Sequence, residues 1–306
     1  MRISRLGHFT AAAGLVGAAT LVATGASAAG VVQWHVPPPV PPPPGATSSV
    51  LQDVSVLAPA DVWAVGAWWS TAVHPFAVHW NGQAWAAVPR PELTQPTYLT
   101  GVDALATDDV WAVGSSDEQA EDTAPPAGVV LHFDGAAWSV VPSPAAPAGV
   151  ASDLDDVDMR TSGDGWAVGR LGKSGQTQPL VLHWQAGKWT SAAVPDLPGV
   201  ALTSVSATAT DDVWAAGTVT DASGATTAAI LHFDGVSWTR VDVPAPFGSS
   251  LTSVAATSAG DVWAGGSTCI EVICVPLVLH RTGTGWRAEA TAAGAAVTEV
   301  VALSPA

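Results

Sequence analysis

From about Ser48 onward the chain alternates apolar and polar positions in short runs, as in Leu-x-x-Val-x-Ala and Val-Leu-His-Phe. Asp, Gly, Pro and Ser separate the runs. Alternation at period two over four to eight residues predicts β-strands, and helical spacing is absent. The runs recur. Asp61-Val62-Trp63-Ala64-Val65-Gly66 returns as Asp109 to Gly114, Asp164 to Gly169, Asp212 to Gly217 and Asp261 to Gly266. Upstream of each Trp stand a Leu (Leu51, Leu99, Leu154, Leu202, Leu251) and, three residues after it, a Val (Val54, Val102, Val157, Val205, Val254). Downstream, a His precedes a second Trp by six positions: His79 and Trp85, His132 and Trp138, His183 and Trp189, His232 and Trp238, His280 and Trp286.

Each repeat of roughly fifty residues thus holds four strands. One sheet of four short strands cannot bury both faces alone, so the repeats must stack, and radial stacking gives a propeller. The predicted fold is an all-β propeller of five four-stranded blades. The ten repeat Trp residues become its interblade core, each indole N–H calling for a partner. The last residues, Val297 to Ala306, match the first strand of a sixth repeat. They fit a five-bladed ring with a surplus strand, a ring completed by N-terminal residues, or a truncated member of a longer family; we read five blades with an incomplete sixth.

The run His132-Phe133-Asp134-Gly135-x-x-Trp138, echoed at Asp234-Gly235-x-x-Trp238 and loosely at Asn81-Gly82-x-x-Trp85, resembles a degenerate Asp-box of sialidase-type propellers. The Asp-Val-Trp-Ala-Val-Gly segment resembles the repeats of photosystem-assembly-factor-like secreted bacterial propellers. The resemblance covers about residues 48 to 295. A His replaces the Ser or Thr that opens an Asp-box, the Asp-to-Trp spacing is one short, and blade three carries Gln185-Ala186-Gly187 instead. What the resemblance implies is fold and strand order, with Leu-x-x-Val innermost, Asp-x-Trp second, the His strand third and the second-Trp strand outermost. That order places the second-to-third-strand loops, which vary in length, on one face with the connections between blades. The tight Asp-box-like turns take the other face.

The N-terminus changes the picture of location. Arg2 and Arg5, an apolar run from about Phe9 to Val22, and Ala26-Ser27-Ala28 have the layout of a secretory signal, so residues 1–28 are expected to be removed and the protein to be secreted. The apolar run is short and broken by Gly14, Gly17 and Thr20, so no stable membrane span is expected in the mature protein. Residues 29–47 form a Pro-rich linker, with Pro37 to Pro44 a stiff polyproline spacer, and 48–296 the propeller. Losing the signal removes two of ten Lys and Arg and none of 26 Asp and Glu, taking the net charge from −16 to −18. So acidic a chain makes a poor partner for nucleic acid or anionic membrane. In an exported protein Cys269 and Cys274 are expected to form a disulfide.

The repeat itself offers little chemistry. Its five histidines are held apart by the rotation between blades, whereas a metal needs ligands converging at about 2 Å. Its aspartates suit the capping of turn N–H groups. Function is therefore sought off the repeat. Trp68, Trp69 and His74 lie at the variable loop of blade one and Tyr98 is the single tyrosine, which makes these four the ligand-binding candidates. Asp117, Glu118, Glu121 and Asp122 crowd the loop of blade two; no cofactor is called for, and calcium is the ion such an acidic loop would take. Asp153, Asp155, Asp156 and Asp158 open the inner strand of blade three, where one or two could face the central channel and meet calcium or water.

A sialidase-like mechanism would need three gathered arginines and a Tyr nucleophile, and nothing in the sequence gathers Arg90, Arg160, Arg170, Arg240, Arg281 and Arg287. One Tyr cannot supply a galactose-oxidase-like copper site. Neither Gly-x-Ser-x-Gly nor His-Glu-x-x-His occurs. The expectation is a secreted non-catalytic scaffold that binds a polysaccharide or an extracellular protein through the variable-loop face. The alternatives are a glycosidase-like enzyme with paired carboxylates on that face, and a purely structural surface or assembly domain.

Overall fold

The computed structural model describes residues 3–4, 38–91, 93, 95–116, 125–172, 176–270, 273–291 and 296–301. Its five antiparallel sheets follow one another along the chain, each with its strands in sequence order, as a β-propeller requires. Blade one comprises Ser48–Ala58, Asp61–Trp69, Val73–Trp80 and Trp85–Ala87, and blade two Thr97–Ala106, Asp109–Ser116, Gly128–Phe133 and Trp138–Val140. Blade three comprises Ser152–Thr161, Asp164–Leu171, Gln178–Gln185 and Lys188–Ser191. Blade four holds Val200–Ala209, Asp212–Thr220, Thr226–Phe233 and Trp238–Val241, and blade five Ser249–Ser258, Asp261–Ile270, Ile273–Thr282 and Gly285–Ala288. A two-residue strand, Ile3–Ser4, pairs with Val56 and Ser55 on the axial edge of blade one. Among the described residues no helix is long and apolar enough to cross a membrane.

The repeated sequence explains the repeated geometry. In every blade the pairing of first and second strands slips by one residue just after the Leu, as between Leu51 and Asp53. Such a bulge presses the opposite backbone inward. At Gly66, which closes the Asp-x-Trp segment, a Cβ would collide with the Val50 carbonyl oxygen, so that segment ends in Gly. The second-strand Trp then packs edge-on against the outer-strand Trp of the following blade: Trp63 on Trp138, Trp111 on Trp189, Trp166 on Trp238 and Trp214 on Trp286.

The motif's Asp and His do work that spacing alone did not reveal. In each blade the His ring stacks on its own second-strand Trp, with centroids 3.6 to 4.5 Å apart, while its Nε2 meets a carboxylate oxygen of the motif Asp at 2.7 to 2.8 Å. The Asp is therefore a partner for a histidine rather than the cap of a turn, which corrects the expectation for Asp61, Asp109, Asp164, Asp212 and Asp261. The indole N–H groups are less well served than expected. Trp111 and Trp214 donate to Asp109 and Asp212 at 3.1 Å, whereas the N–H groups of Trp63, Trp138, Trp166, Trp189, Trp238 and Trp286 are buried without a partner.

Adjacent inner strands belong to separate sheets, and side chains bridge them. Val102 N donates to Asp53 Oδ2 at 2.8 Å and Ala104 N to Ser55 Oγ at 3.0 Å. The same step recurs from Met159 N to Asp103, from Val205 N and Ala207 N to Asp156 and Asp158, and from Val254 N and Ala256 N to Ser204 and Ser206. In each of these backbone N–H bridges the acceptor belongs to the preceding blade, while the Thr100 and Thr203 hydroxyls donate the other way, to Leu154 O and Leu251 O of the following blade. The terminal segment continues the series. Val300 N donates to Ser253 Oγ at 3.2 Å, Thr252 Oγ1 donates to Val297 O at 2.9 Å, and Val297 N donates to Gly266 O at 3.0 Å. Residues 297–301 thus occupy the place of a sixth inner strand.

Candidate functional site

The second strands run toward the variable-loop face and the third strands return from it, so that face gathers the strand ends where the repeat's identity lapses. In blade one the hairpin joining Asp61–Trp69 to Val73–Trp80 carries three of the candidates. Trp68 stacks on His74 with ring centroids 4.2 Å apart, and Arg90 approaches His74 Nδ1 at 3.4 Å while donating through Nε to Pro75 O at 2.9 Å. The other His74 nitrogen meets Ser70 Oγ at 3.0 Å. Successive residues of a strand point to opposite sides. Trp68 accordingly packs against the buried cluster of blade one that includes Phe76, Val78 and Trp85, while Trp69 is 38% exposed and carries the free aromatic surface.

Tyr98 belongs to a different group, at the mouth of the central channel. It pairs across the bulged hairpin with Ser115, and the equivalent pair in blade three is Asp153 with Arg170. The other blades hold small or aliphatic residues there: Val50 with Ala67, Ala201 with Thr218, and Ser250 with Ser267. Arg170 Nη2 meets Asp153 Oδ2 at 2.6 Å. Burial, with Asp153 and Asp155 nearby, raises the Tyr98 phenol against the opposing pull of Arg170 and Ser115. Asp155 lies two residues further down the strand. Burial pushes its carboxyl up to about 6, Arg170 holding it down and Asp153 adding to the rise, and its Oδ2 has no hydrogen-bond partner.

The channel below is lined by Asp53, Thr100, Asp155, Asp156, Thr203, Ser204, Thr252, Ser253, Thr298 and Glu299, so all five inner strands and the terminal segment face it. The cavity there, about 20 Å³, has room for little more than a water molecule and falls far short of an ordinary small-molecule pocket. Asp155 and Asp156 do line it, as expected, but Asp156 spends its oxygens on Val157 N and Val205 N. Among the described residues no three His, Cys, Asp or Glu are grouped to hold a metal ion. The acidic loop with Asp117, Glu118, Glu121 and Asp122 lies outside the described residues.

Blade five presents the most exposed apolar surface. Cys269 and Cys274 are cross-strand partners joined by a disulfide, as expected, and close the hairpin tip. Around them Ile270, Ile273 and Val275 are exposed, Ile270 by 71%, and Phe247 is exposed beside Gly248, whose carbonyl accepts from Cys269 N at 2.8 Å. A hairpin tip is normally polar, and two isoleucines flanking a cysteine bridge are a signal legible in Cys-Ile-Glu-Val-Ile-Cys that a search centred on tryptophans passed over. Arg170 was missed for another reason: its pairing with Asp153 follows from the register.

No family model and no curated protein sequence matches the chain. Its fold is similar to that of solved β-propellers. YCF48 bound to D1 peptide matches at 14% identity and a TM-score of 0.47, covering 84% of this chain and 72% of that one. YCF48 from Cyanidioschyzon merolae matches at 15% identity and a TM-score of 0.48, over 80% and 72% of the two chains. A Trypanosoma rangeli sialidase in complex with sialic acid matches at 13% identity and a TM-score of 0.37, over 68% of this chain and 39% of the sialidase. Both kinds of propeller that the repeat resembles in sequence are among these likenesses.

Proposed function

We propose that this propeller is an exported, non-catalytic scaffold that binds an extracellular protein through its variable-loop face. The observation that carries the reading is the disulfide-braced hairpin of blade five, with Ile270, Ile273 and Val275 exposed and Phe247 alongside. Water-exposed apolar side chains on a rigid support are what a partner can bury at little ordering cost. Trp69 on blade one adds an aromatic anchor on the same face. The signal-like N-terminus and the acidic surface favour a partner outside the cell, with a basic or apolar docking surface.

A second reading, a glycosidase-like enzyme, draws on Asp155, whose raised pKa is the kind of perturbation a general acid needs. The experiment that separates these readings uses the mature chain, residues 29–306. Random peptides displayed on phage are selected on the immobilised protein, and a polysaccharide panel is titrated in parallel with an assay for released sugar. The binding reading expects apolar peptides that lose affinity about tenfold or more in Ile270→Ser/Ile273→Ser and by a smaller factor in Trp69→Ala. Polysaccharide binding that disappears in Trp69→Ala would move the ligand to carbohydrate. Sugar release abolished by Asp155→Asn would overturn the non-catalytic reading.

A further inference from the structure

The Pro-rich segment ahead of blade one lies against the propeller and touches it along one edge. From Pro38 onward burial follows a period of three: Val40 and Pro43 are half-buried, while Pro38, Pro39, Pro41, Pro42 and Pro44 are exposed. Val40 packs against the buried cluster of blade one that includes Val62, Phe76 and Val78. Residues 38–43 lie in neither strand nor turn. Proline fixes φ near about −65° and removes the backbone donor, so such a run takes the polyproline II helix, whose three residues per turn put i and i+3 on one edge. The burial pattern is that of this helix docked along one of its three edges.

The far end of the segment is fixed as well. Ala46 N donates to Pro43 O at 3.0 Å across Pro44 and Gly45, and Gly45 has a φ of 80°, the arrangement of a type II turn. Thr47 N then donates to Trp69 O at 2.8 Å and Thr47 Oγ1 to the same oxygen at 3.1 Å, which ties the turn to the end of the second strand of blade one. Two edges of the helix therefore face water on a held backbone. A spacer places no demand on its exposed side chains. Here every exposed position of the run is proline, and its one other residue, Val40, is the one that meets the blade. Pro38-Pro39 and Pro41-Pro42 stand one turn apart, about 9 Å along the helix.

We propose that residues 38–44 are a preformed polyproline ligand for a partner domain whose groove is lined by aromatic side chains, with Pro38-Pro39 and Pro41-Pro42 as the two ridges it grips. The docked segment has already lost the freedom that a loose peptide gives up on binding, so it binds more tightly than the same sequence free. Charge narrows the partner further. No Lys or Arg stands between Arg5 and Arg90, whereas blade one carries Asp53 and Asp61 and the whole chain a net charge of −16. The ligand has no cation to offer an acidic pocket, and the groove that suits it reads proline alone behind a basic rim. This surface is separate from the blade-five hairpin and does not depend on it.

The test titrates the full chain into a panel of isotope-labelled WW domains, whose aromatic grooves read proline, and follows their amide shifts. Saturable binding is expected, with the shifts confined to the aromatic groove. Pro39→Ala/Pro42→Ala should abolish those shifts and leave the urea midpoint of the chain unchanged, because both side chains face water. Val40→Asp, which releases the segment from blade one, should weaken binding about tenfold, to the level of a synthetic peptide of residues 36–47. Ile270→Ser/Ile273→Ser should change nothing, so failure of the blade-five reading leaves this one standing. Absence of saturable binding across the panel, or binding indifferent to Pro39→Ala/Pro42→Ala, would overturn the proposal. So would a free peptide that binds as tightly as the full chain, a urea midpoint lowered by the paired proline substitution, or a dimer in which a second copy covers the same prolines.

Discussion

Replacing Asp155 with threonine should stabilise the protein by clearly more at neutral pH than at pH 4. Blades two, four and five carry Thr100, Thr203 and Thr252 at this step of the inner strand, and Thr100 Oγ1 donates to Leu154 O of the next blade at 2.7 Å. Asp155 breaks that series with a carboxyl whose Oδ2 is sealed from water and unpaired. Burial lifts its pKa from 3.8 to about 6. Between those values the folded protein holds a proton that the unfolded chain releases, so stability falls as pH rises through the window and is level above it. Two units correspond to about 3 kcal/mol, and the solvent contact the residue keeps reduces this to about 2 kcal/mol. A threonine hydroxyl that bonds as Thr100 does adds about 1 kcal/mol at every pH. Urea unfolding of both proteins from pH 4 to pH 7.5 should give a stability difference that widens by about 2 kcal/mol across the window and then stays constant. A difference independent of pH would refute the reasoning, since Asp155 would then ionise as freely in the folded as in the unfolded chain.

Trp166→Ala should cost about 3 to 5 kcal/mol in the same assay, because the ring is 1% exposed and packed between His183, Phe233 and Trp238; Trp69→Ala should stay within about 0.5 kcal/mol. Removing the bridge with Cys269→Ser/Cys274→Ser closes one fewer loop, only five residues apart in sequence, and should lower stability by about 2 kcal/mol at most while speeding hydrogen exchange in that hairpin. Asp134 and Asp234 are held below the usual carboxylate range by backbone N–H groups two and three residues on, so NMR titration should find both still ionised where ordinary aspartates are half protonated. Their contribution to the turns is present above the unfolded pKa and fades as pH falls through the depressed one.

The period, the four strands per repeat and the burial of the second-strand and outer-strand Trp were legible because each rests on local alternation that every repeat restates. The Asp-box-like turn was legible for the same reason: Asp134 lies two and three residues from the Ala136 and Ala137 amides it accepts from. What stayed hidden depends on register or on the neighbouring blade. Asp61 and His79 stand 18 residues apart and meet only because the second and third strands pair without a slip. Asp53 and Val102 are 49 apart and meet only once two blades are stacked. At Gly101, where blade two lacks such an acceptor, a Cβ would stand 2.9 Å from Asp156 Cα, a close approach that no single repeat discloses. Trp68 and Trp69 look like one platform in the sequence, and the alternation of the strand assigns them to opposite sides.

The backbone N–H bridges between inner strands have a consequence for how the molecule comes apart. Every blade from two to five leans on an acceptor in the blade before it, and no described residue carries that dependence from blade five back to the apolar face of blade one. Stacked blades behave as coupled units, each feeling chiefly its neighbours. Damage to Asp53 or Ser55 should therefore be felt in blade two, while blades three to five persist. Amide exchange should accordingly quicken first in the blade whose acceptor was removed and reach the blades beyond it only later.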